Sequence, residues 1–412
     1  MPKIYFLDVT NRDGVQTAKL GLSKLEKTLI NIYLNEIGVF QSEFGFPTTR
    51  HESLYLQANL ELAEMGVLHP IRLEGWIRAI VGDVETAFKL MPGIRHLNLS
   101  ISTSDQMIKG KFQGRKTRDD IINDMVEAVD AAWALGAESI GVNAEDASRT
   151  DLDFLIKFGL AAKEHRADRL RYCDTLGYDN PSTIYETIRA LAENVGIAIE
   201  THCHNDLGMA VANSVAGAKG AIDGGQDVYI NTTINGLGER AGNADLVATI
   251  LAVTKSKGFA DEYQLGYSID LSKAWKVAKF ASYAFGVPIP INQPGVGANA
   301  FAHESGIHAD GVLKDPHNYE LYSYEELGRG EPEFVETGRE ICTGEYSGVS
   351  GFSHIMGKIE VSFNNKEEAN EVLELVRYAN VESQKPLVED ELLFIARYPE
   401  IAKKLLTLTP LG

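Results

Sequence analysis

The stretch IYFLDVTNRDGVQT, residues 4–17, decides the fold class. Its first six residues form an apolar run of strand length, and the turn behind them holds a single glycine. A doubly wound open sheet would carry G-x-G-x-x-G at that turn, and NRDGVQT speaks against it. Seven further runs follow: 40–46, 72–77, 96–101, 139–144, 169–174, 198–204 and 228–234. Amphipathic segments lie between them. In DDIINDMVEAVDAAWALG (119–136), apolar residues recur at three and four positions and Gly136 closes the helix. Eight strands alternating with helices predict an α/β fold, a closed parallel (β/α)8 TIM barrel.

Beyond residue 260 the pattern changes. GVPIPINQPGVGA (286–298) has three prolines and three glycines and reads as an extended connection. We therefore expect a catalytic barrel over 1–262, a linker region over 263–300, and a mainly helical C-terminal lid and dimerisation domain over 301–412. Its helical material is expected at 366–380 and 387–406.

Composition narrows the partners. With 39 Lys and Arg against 58 Asp and Glu, the net charge is −19, so a nucleic-acid backbone is an unsuitable ligand. Small anions stay open, because a metal or one arginine sets the sign of a single pocket. Three cysteines, Cys173, Cys203 and Cys342, are too few and scattered for a disulfide framework or a four-cysteine zinc site. The first residues, MPKIYFLD, reach a charge before any signal-peptide apolar region forms, and no uncharged apolar run of 18 residues occurs. We expect a cytoplasmic protein with no membrane partner.

Barrels place chemistry at the C-terminal ends of their strands. Here those ends lead to Asp13, Glu43, Arg78, Glu145 and Asp146, Asp174 and Thr175, and His202 with His204. A helix-capping role competes for Asp146, Asp174 and Asp206. His202-Cys203-His204 is the strongest chemical pattern. Residues i and i+2 of a strand share a face, so the two imidazoles point together while Cys203 points away. The bland alternative is a buried structural pair. Imidazoles suit Zn, Mn, Fe or Co, and an added carboxylate such as Asp13 admits Mg. Such a centre polarises the carbonyl of a bidentate 2-oxo acid, and Arg12 is the natural partner for charge developing on that oxygen.

At these residues the chain resembles the acyl-CoA/2-oxo-acid condensing enzymes of the metal-dependent barrel superfamily. These are the homocitrate, 2-isopropylmalate, citramalate and Re-type citrate synthases. The resemblance rests on NRDGVQT (11–17), AEDASR (144–149), CDTLG (173–177), HCHND (202–206), INTTINGLGERAGNA (230–244) and AHESGIHADG (302–311). It implies metal binding by Asp13, His202, His204 and Asn243, with Mg, Mn or Zn as the divalent ion. It implies 2-oxo-acid contacts from Arg12, Gln16, Asn143, Glu145 and Thr175. The reaction implied is a Claisen condensation of acetyl-CoA followed by thioester hydrolysis.

The barrel rim has no histidine to spare as a base, so His308 is expected to take the methyl proton, delivered in trans by the lid of a homodimer partner. Arg12 and Glu145 complete the expected catalytic set. The EDASR and GERAGNA matches look nearest to nitrogen-fixation homocitrate synthases, which puts 2-oxoglutarate slightly ahead of oxaloacetate. Arg78 is the candidate host for the second carboxylate, with an ion pair to Glu43 or Glu74 as the alternative.

The chain also departs from the family pattern. Asn11 replaces a leucine, Val15 a glutamate, and GEYSG (344–348) stands where those homocitrate synthases have G-K-H-S-G. Only about 60 residues follow GEYSG, too few for the regulatory domain of full 2-isopropylmalate synthases. Among other classes, an acyl-CoA lyase or aldolase would want a cysteine in the loop after strand eight. A biotin-dependent carboxyltransferase would want a lysine at a strand end. Neither is present.

Overall fold

The computed structural model describes residues 1–259, 263–333, 337–338 and 340–407. The expected barrel end at residue 262 lies outside them. Eight parallel strands close into a barrel: β1 Lys3–Asp8, β2 Gln41–Gly45, β3 Arg72–Arg78, β4 His96–Ser102, β5 Ser139–Glu145, β6 Arg169–Asp174, β7 Ala198–Cys203 and β8 Val228–Thr232. Each pairs with its sequence neighbour, and β1 closes the ring by pairing with both β8 and β2. All eight runs read from sequence are these strands.

Helices wrap the outside with local stop signals where the chain needs them. Helix Lys24–Ile37 begins in a capping box between Ser23 and Glu26, and Gly38 ends it at φ 90°. Helix Pro181–Val195 starts on the Asn180 side chain and ends at Gly196, also left-handed.

The barrel interior is not purely apolar. Arg169 and Arg171 project inward from β6 and meet Glu43, Glu74 and Glu200 from β2, β3 and β7, all fully buried. Arg169 reaches Glu74 at 2.5 Å and Glu200 at 3.0 Å; Arg171 bonds Glu43, and reaches Glu200 at 2.5 Å. Burial would raise the Glu200 carboxyl, but the two guanidiniums outweigh it and hold it at about 2. Glu74 goes the other way, up to about 7, pushed by burial and then by its acidic neighbours despite Arg169. Removing one member of such a network strands a buried charge, at a cost of about 3–5 kcal/mol.

Residues 263–300 are more than a connection. Helix Ala274–Phe285 packs Val277, Phe280, Ala281 and Phe285 into the main core against helix Lys24–Ile37. Only the Pro/Gly stretch after it is extended. The final helices return to the barrel wall: Lys366–Ser383, Glu389–Arg397 and Pro399–Leu405. The helix expected over 387–406 is two helices, because Pro399 lacks the N–H to continue the first and starts the second. Tyr33 Oη donates to Asp390 at 2.7 Å, Tyr283 Oη to Glu391 at 2.9 Å, and Lys404 reaches Glu61 at 2.5 Å. Between the two anchored parts lies an arm, residues 301–346. Its helix Gly306–Lys314 buries no residue, and Ile307, Leu313 and Leu321 are 76%, 88% and 70% exposed.

Candidate active site

At the C-terminal mouth, β1 and β7 deliver three donors to one point. The Nε2 atoms of His202 and His204 lie 3.3 Å apart, and Asp13 Oδ2 is 3.3 Å from the first and 3.9 Å from the second. All three residues are buried, and among the described residues they form the group of His, Cys and acidic side chains that could hold a metal ion. As the strand alternation requires, Cys203 turns into the core.

Asn243 joins them through the bridge that pairs it with His204. Its amide nitrogen donates to Asp13 Oδ1 at 3.2 Å, whereas its Oδ1 is buried without a hydrogen-bond partner. The loop before it fits because residue 238 is glycine: a Cβ there would lie 2.0 Å from the Asn243 amide nitrogen.

Burial alone would raise the Asp13 carboxyl, but Arg12, followed by His202, holds it well below the usual carboxylate range. Burial, then His202, lowers the His204 imidazole to about 3. A charged carboxylate, neutral imidazole and unpartnered amide oxygen are the donor set of a divalent cation.

Arg12 is fixed from two sides, by Asp13 Oδ2 at 2.8 Å and Glu43 Oε2 at 2.6 Å. Glu43 in turn bonds Arg171, so the interior ionic network ends at the guanidinium over the mouth. Asn11 anchors the same turn from behind, donating to Lys27 O and Asn31 Oδ1, both at 2.8 Å. That explains how an amide works where relatives have leucine: it faces a buried row of amides rather than an apolar helix.

The other expected residues are placed as follows. Glu145 Oε2 accepts from Ser102 Oγ at 2.5 Å and Lys111 Nζ at 2.6 Å. Asn143 Oδ1 is 2.7 Å from Cys173 Sγ. Thr175 Oγ1 accepts from the Asp146 N–H at 2.9 Å, and Gln16 is exposed on the turn after Asp13. Asp146 and Asp174 hold neighbouring loops rather than helix starts.

Arg78 pairs with neither Glu43 nor Glu74, which Arg12, Arg171 and Arg169 already engage. Its fork closes on Asp83 at 2.7 and 2.8 Å, two thirds exposed, because Asp83 sits in the first turn of the helix that follows β3. Arg78 still lines a cavity of about 320 Å³, together with Trp76, Ser100, Ser102, Lys111 and Glu145. The Arg12 guanidinium lies 5.6 Å from the Trp76 ring centroid, so this cavity borders the reaction centre.

Strand-end reasoning passes over Lys111, which stands in a loop; its signal was the basic run KGKFQGRK at 109–116. His308 is not brought to the mouth within one chain. It is exposed and stacks on Tyr319, ring centroids 4.2 Å apart. No hydrogen bond, ion pair or ring contact joins it to the triad among the described residues. His303 bonds Glu320 at 3.1 Å, and Glu345 and Tyr346 of GEYSG are exposed.

Two family profiles match the chain, HMGL-like over residues 3–280 and homocitrate synthase post-HMGL domain-like over 296–383. Over 412 residues it is 73% identical to a citrate (Re)-synthase of Dehalococcoides mccartyi, covering 100% of this chain and 99% of that protein. It is 39% identical to 2-isopropylmalate synthase 2 of Caldanaerobacter subterraneus, over 95% and 94% of the two chains. Against homocitrate synthase 1 of a Nostoc species the identity is 33%, over 96% and 98%.

Proposed function

Because this chain belongs to the HMGL-like family, with a homocitrate-synthase post-HMGL domain behind its barrel, we propose that it is an acyltransferase condensing acetyl-CoA with oxaloacetate, then hydrolysing the thioester to citrate. The observation that carries the choice of 2-oxo acid is the end-to-end 73% identity to a citrate (Re)-synthase. It reverses the order read from EDASR and GERAGNA: 2-oxoglutarate now stands second, and 2-oxoisovalerate further back. Those motifs line the metal-bearing mouth that all these synthases share, so they mark the family and discriminate poorly among its substrates.

We assign the divalent ion to Asp13, His202, His204 and Asn243. When bound, it supplies Lewis-acid polarisation of the 2-oxo carbonyl. Arg12, locked between Asp13 and Glu43, presents a fixed positive charge to the oxygen that becomes an alkoxide. Asn143, Thr175 and Gln16 contact the oxo acid, and Glu145 faces the reacting groups from the β5 side. Arg78 holds the second carboxylate only by sharing its fork with Asp83. His308 removes a methyl proton from acetyl-CoA, the resulting enolate carbon attacks the ketone carbon, and water then releases free CoA thiol.

We place His308 in the mouth of the partner barrel of a homodimer. In support, the part of the arm around it turns Ile307, Leu313 and Leu321 outward, while Leu327 further along packs on Val247 and Leu251 of its own barrel. We keep the division into a barrel to 262, a connection to 300 and a lid domain to 412, with helix Ala274–Phe285 as part of the barrel's packing. No described helix is long and apolar enough to cross a membrane, and a cytoplasmic location fits three unpaired cysteines.

Thiol release from acetyl-CoA, followed across oxaloacetate, 2-oxoglutarate and 2-oxoisovalerate, tests the reading. Oxaloacetate is expected to give the highest kcat/KM and citrate as product. A higher value for either competitor defeats the assignment.

A further inference from the structure

We propose that the loop Lys109–Arg118 docks the phosphorylated nucleotide end of acetyl-CoA, with the pantetheine arm running inward past Phe112 to Glu145. The inference rests on the acetyl-CoA reading and deepens it.

Two cavities adjoin here, sharing Lys111, Phe112, Lys116, Asp124 and Glu127. The inner one, about 320 Å³, has apolar walls from Trp76, Ile80, Val81 and Ile101 and ends at Ser102 and Glu145 beside the reaction centre. The outer one, about 520 Å³, opens to the surface and is bordered by Arg115. A thioester arm of low polarity tipped with a polyanion has that same order of chemistry along its length.

The charge is local and unusual. In a chain of net charge −19, KGKFQGRKTR (109–118) has five cations and no carboxylate. Three are engaged: Lys111 by Glu145 and Ser102, Lys116 by Asp124, and Arg118 by Asp105 at 2.8 and 2.9 Å. Two are left over. Arg115, on the outer cavity, donates its side chain only to Gln113 Oε1 at 3.1 Å, and Lys109, in the last turn of helix Asp105–Gly110 beside the cavity but not lining it, is exposed with no ion pair or hydrogen bond among the described residues. Phosphate groups are the ligands that recruit such spare cations.

The loop is also built to hold them in place. Lys111 and Phe112 N–H both bond Met107 O, Arg115 N–H bonds Phe112 O at 3.0 Å, and Gln113 and Gly114 take left-handed φ of 55° and 66°. Arg115 is four chain steps from Lys111, so their backbones are at most ~14 Å apart, a span that an extended pantetheine arm can bridge. The opposite wall carries Asp120, which caps Thr117, Asp124, which holds Lys116, and Glu127. Phosphates are kept off that wall, and Glu127 offers an acceptor to the adenine amine.

The test uses the full chain loaded with divalent ion and titrates CoA and 3′-dephospho-CoA by calorimetry. The double variant Lys109→Glu/Arg115→Glu should weaken CoA binding by tenfold or more, about one charge-assisted contact at each position. It should weaken dephospho-CoA less, and turnover of acetyl-pantetheine should not change. The KM for acetyl-CoA should rise while kcat and the KM for oxaloacetate stay put. Lys109→Gln/Arg115→Gln should show the same order at smaller size, which separates lost attraction from damage to the loop. If the wild type binds CoA and both double variants bind it equally well, the docking surface is refuted. If the wild type neither binds CoA nor releases thiol, the acetyl-CoA reading itself fails.

Discussion

The barrel interior and the arm at 301–346 follow opposite rules. Inside the barrel buried charges meet one another: Arg169 and Arg171 are clasped by three glutamates, and the chain of contacts ends at Arg12. On the arm, Ile307, Leu313 and Leu321 face solvent and His308 meets the rings of its own chain's Tyr319 and His303. One region is over-determined within a single polypeptide, and the other is under-determined until something covers it. Groups that need ångström placement therefore sit at strand ends, and the His308 proposed as the base is the one site residue whose position would depend on assembly.

The largest effect expected on either side is loss of the metal donor set. Stripping divalent ions, or Asp13→Asn, should abolish thiol release while circular dichroism stays native. Full activity with metal content confirmed near zero would undo the assignment of Asp13, His202 and His204.

His308→Ala should come next, lowering kcat by roughly 10²–10⁴ with little change in metal content. Mixed with Asp13→Ala under verified subunit exchange, it should regain about a quarter of wild-type activity, since half the dimers are hybrids with one intact site. Exchange without any recovery would show that each arm serves its own barrel.

Within the barrel, Glu200→Gln leaves two buried guanidiniums short of charge and should destabilise the fold by about 3–5 kcal/mol, read from chemical denaturation. A change below 1 kcal/mol would mean that the interior network relaxes freely, and the contrast with the arm would weaken.

A smaller, pH-dependent effect belongs to the seam where the last helices meet the barrel wall. Burial lifts the Glu391 carboxyl to about 7, only partly opposed by the Val388 N–H and Tyr283. A carboxyl raised above its unfolded value of about 4.5 contributes stability that is complete below that value and lost as pH rises through 7. Tm should therefore fall between about pH 4.5 and 7 and level off above that, and Glu391→Gln should flatten that slope. An unchanged slope would mean the group is not protonated in the fold.

Smallest of all for stability, Leu313→Ser on the arm should shift Tm by less than about a degree in dilute protein, yet raise the dimer dissociation constant in sedimentation measurements. Equal dissociation constants would remove the arm from the interface.

Much of this was legible in the residues. Short apolar runs alternating with helical patterns locate all eight strands, and H-x-H on one face points to the triad with Asp13. What stayed hidden depends on three-dimensional neighbours. RLRYCD reads as a strand, but nothing local says that Arg169 and Arg171 meet glutamates from three other strands. Arg78 reads as a carboxylate host or a partner of Glu43 or Glu74, whereas Asp83, five residues on, holds it. Lys111 lies in a loop, outside the strand-end rule, and reaches Glu145 only because β4 and β5 are adjacent.

One consequence follows from the way the last helices return to the barrel wall. The arm is a closed loop, not a tail: helix Ala274–Phe285 holds one end, and Lys385 grips Glu26 and the Ala284 carbonyl at the other. Fixing both ends removes most of the configurations a free tail would explore, so ordering the arm against any surface that covers it costs less conformational entropy. A single backbone cut in the exposed stretch would leave both fragments held to the core at their far ends and give the arm that freedom back.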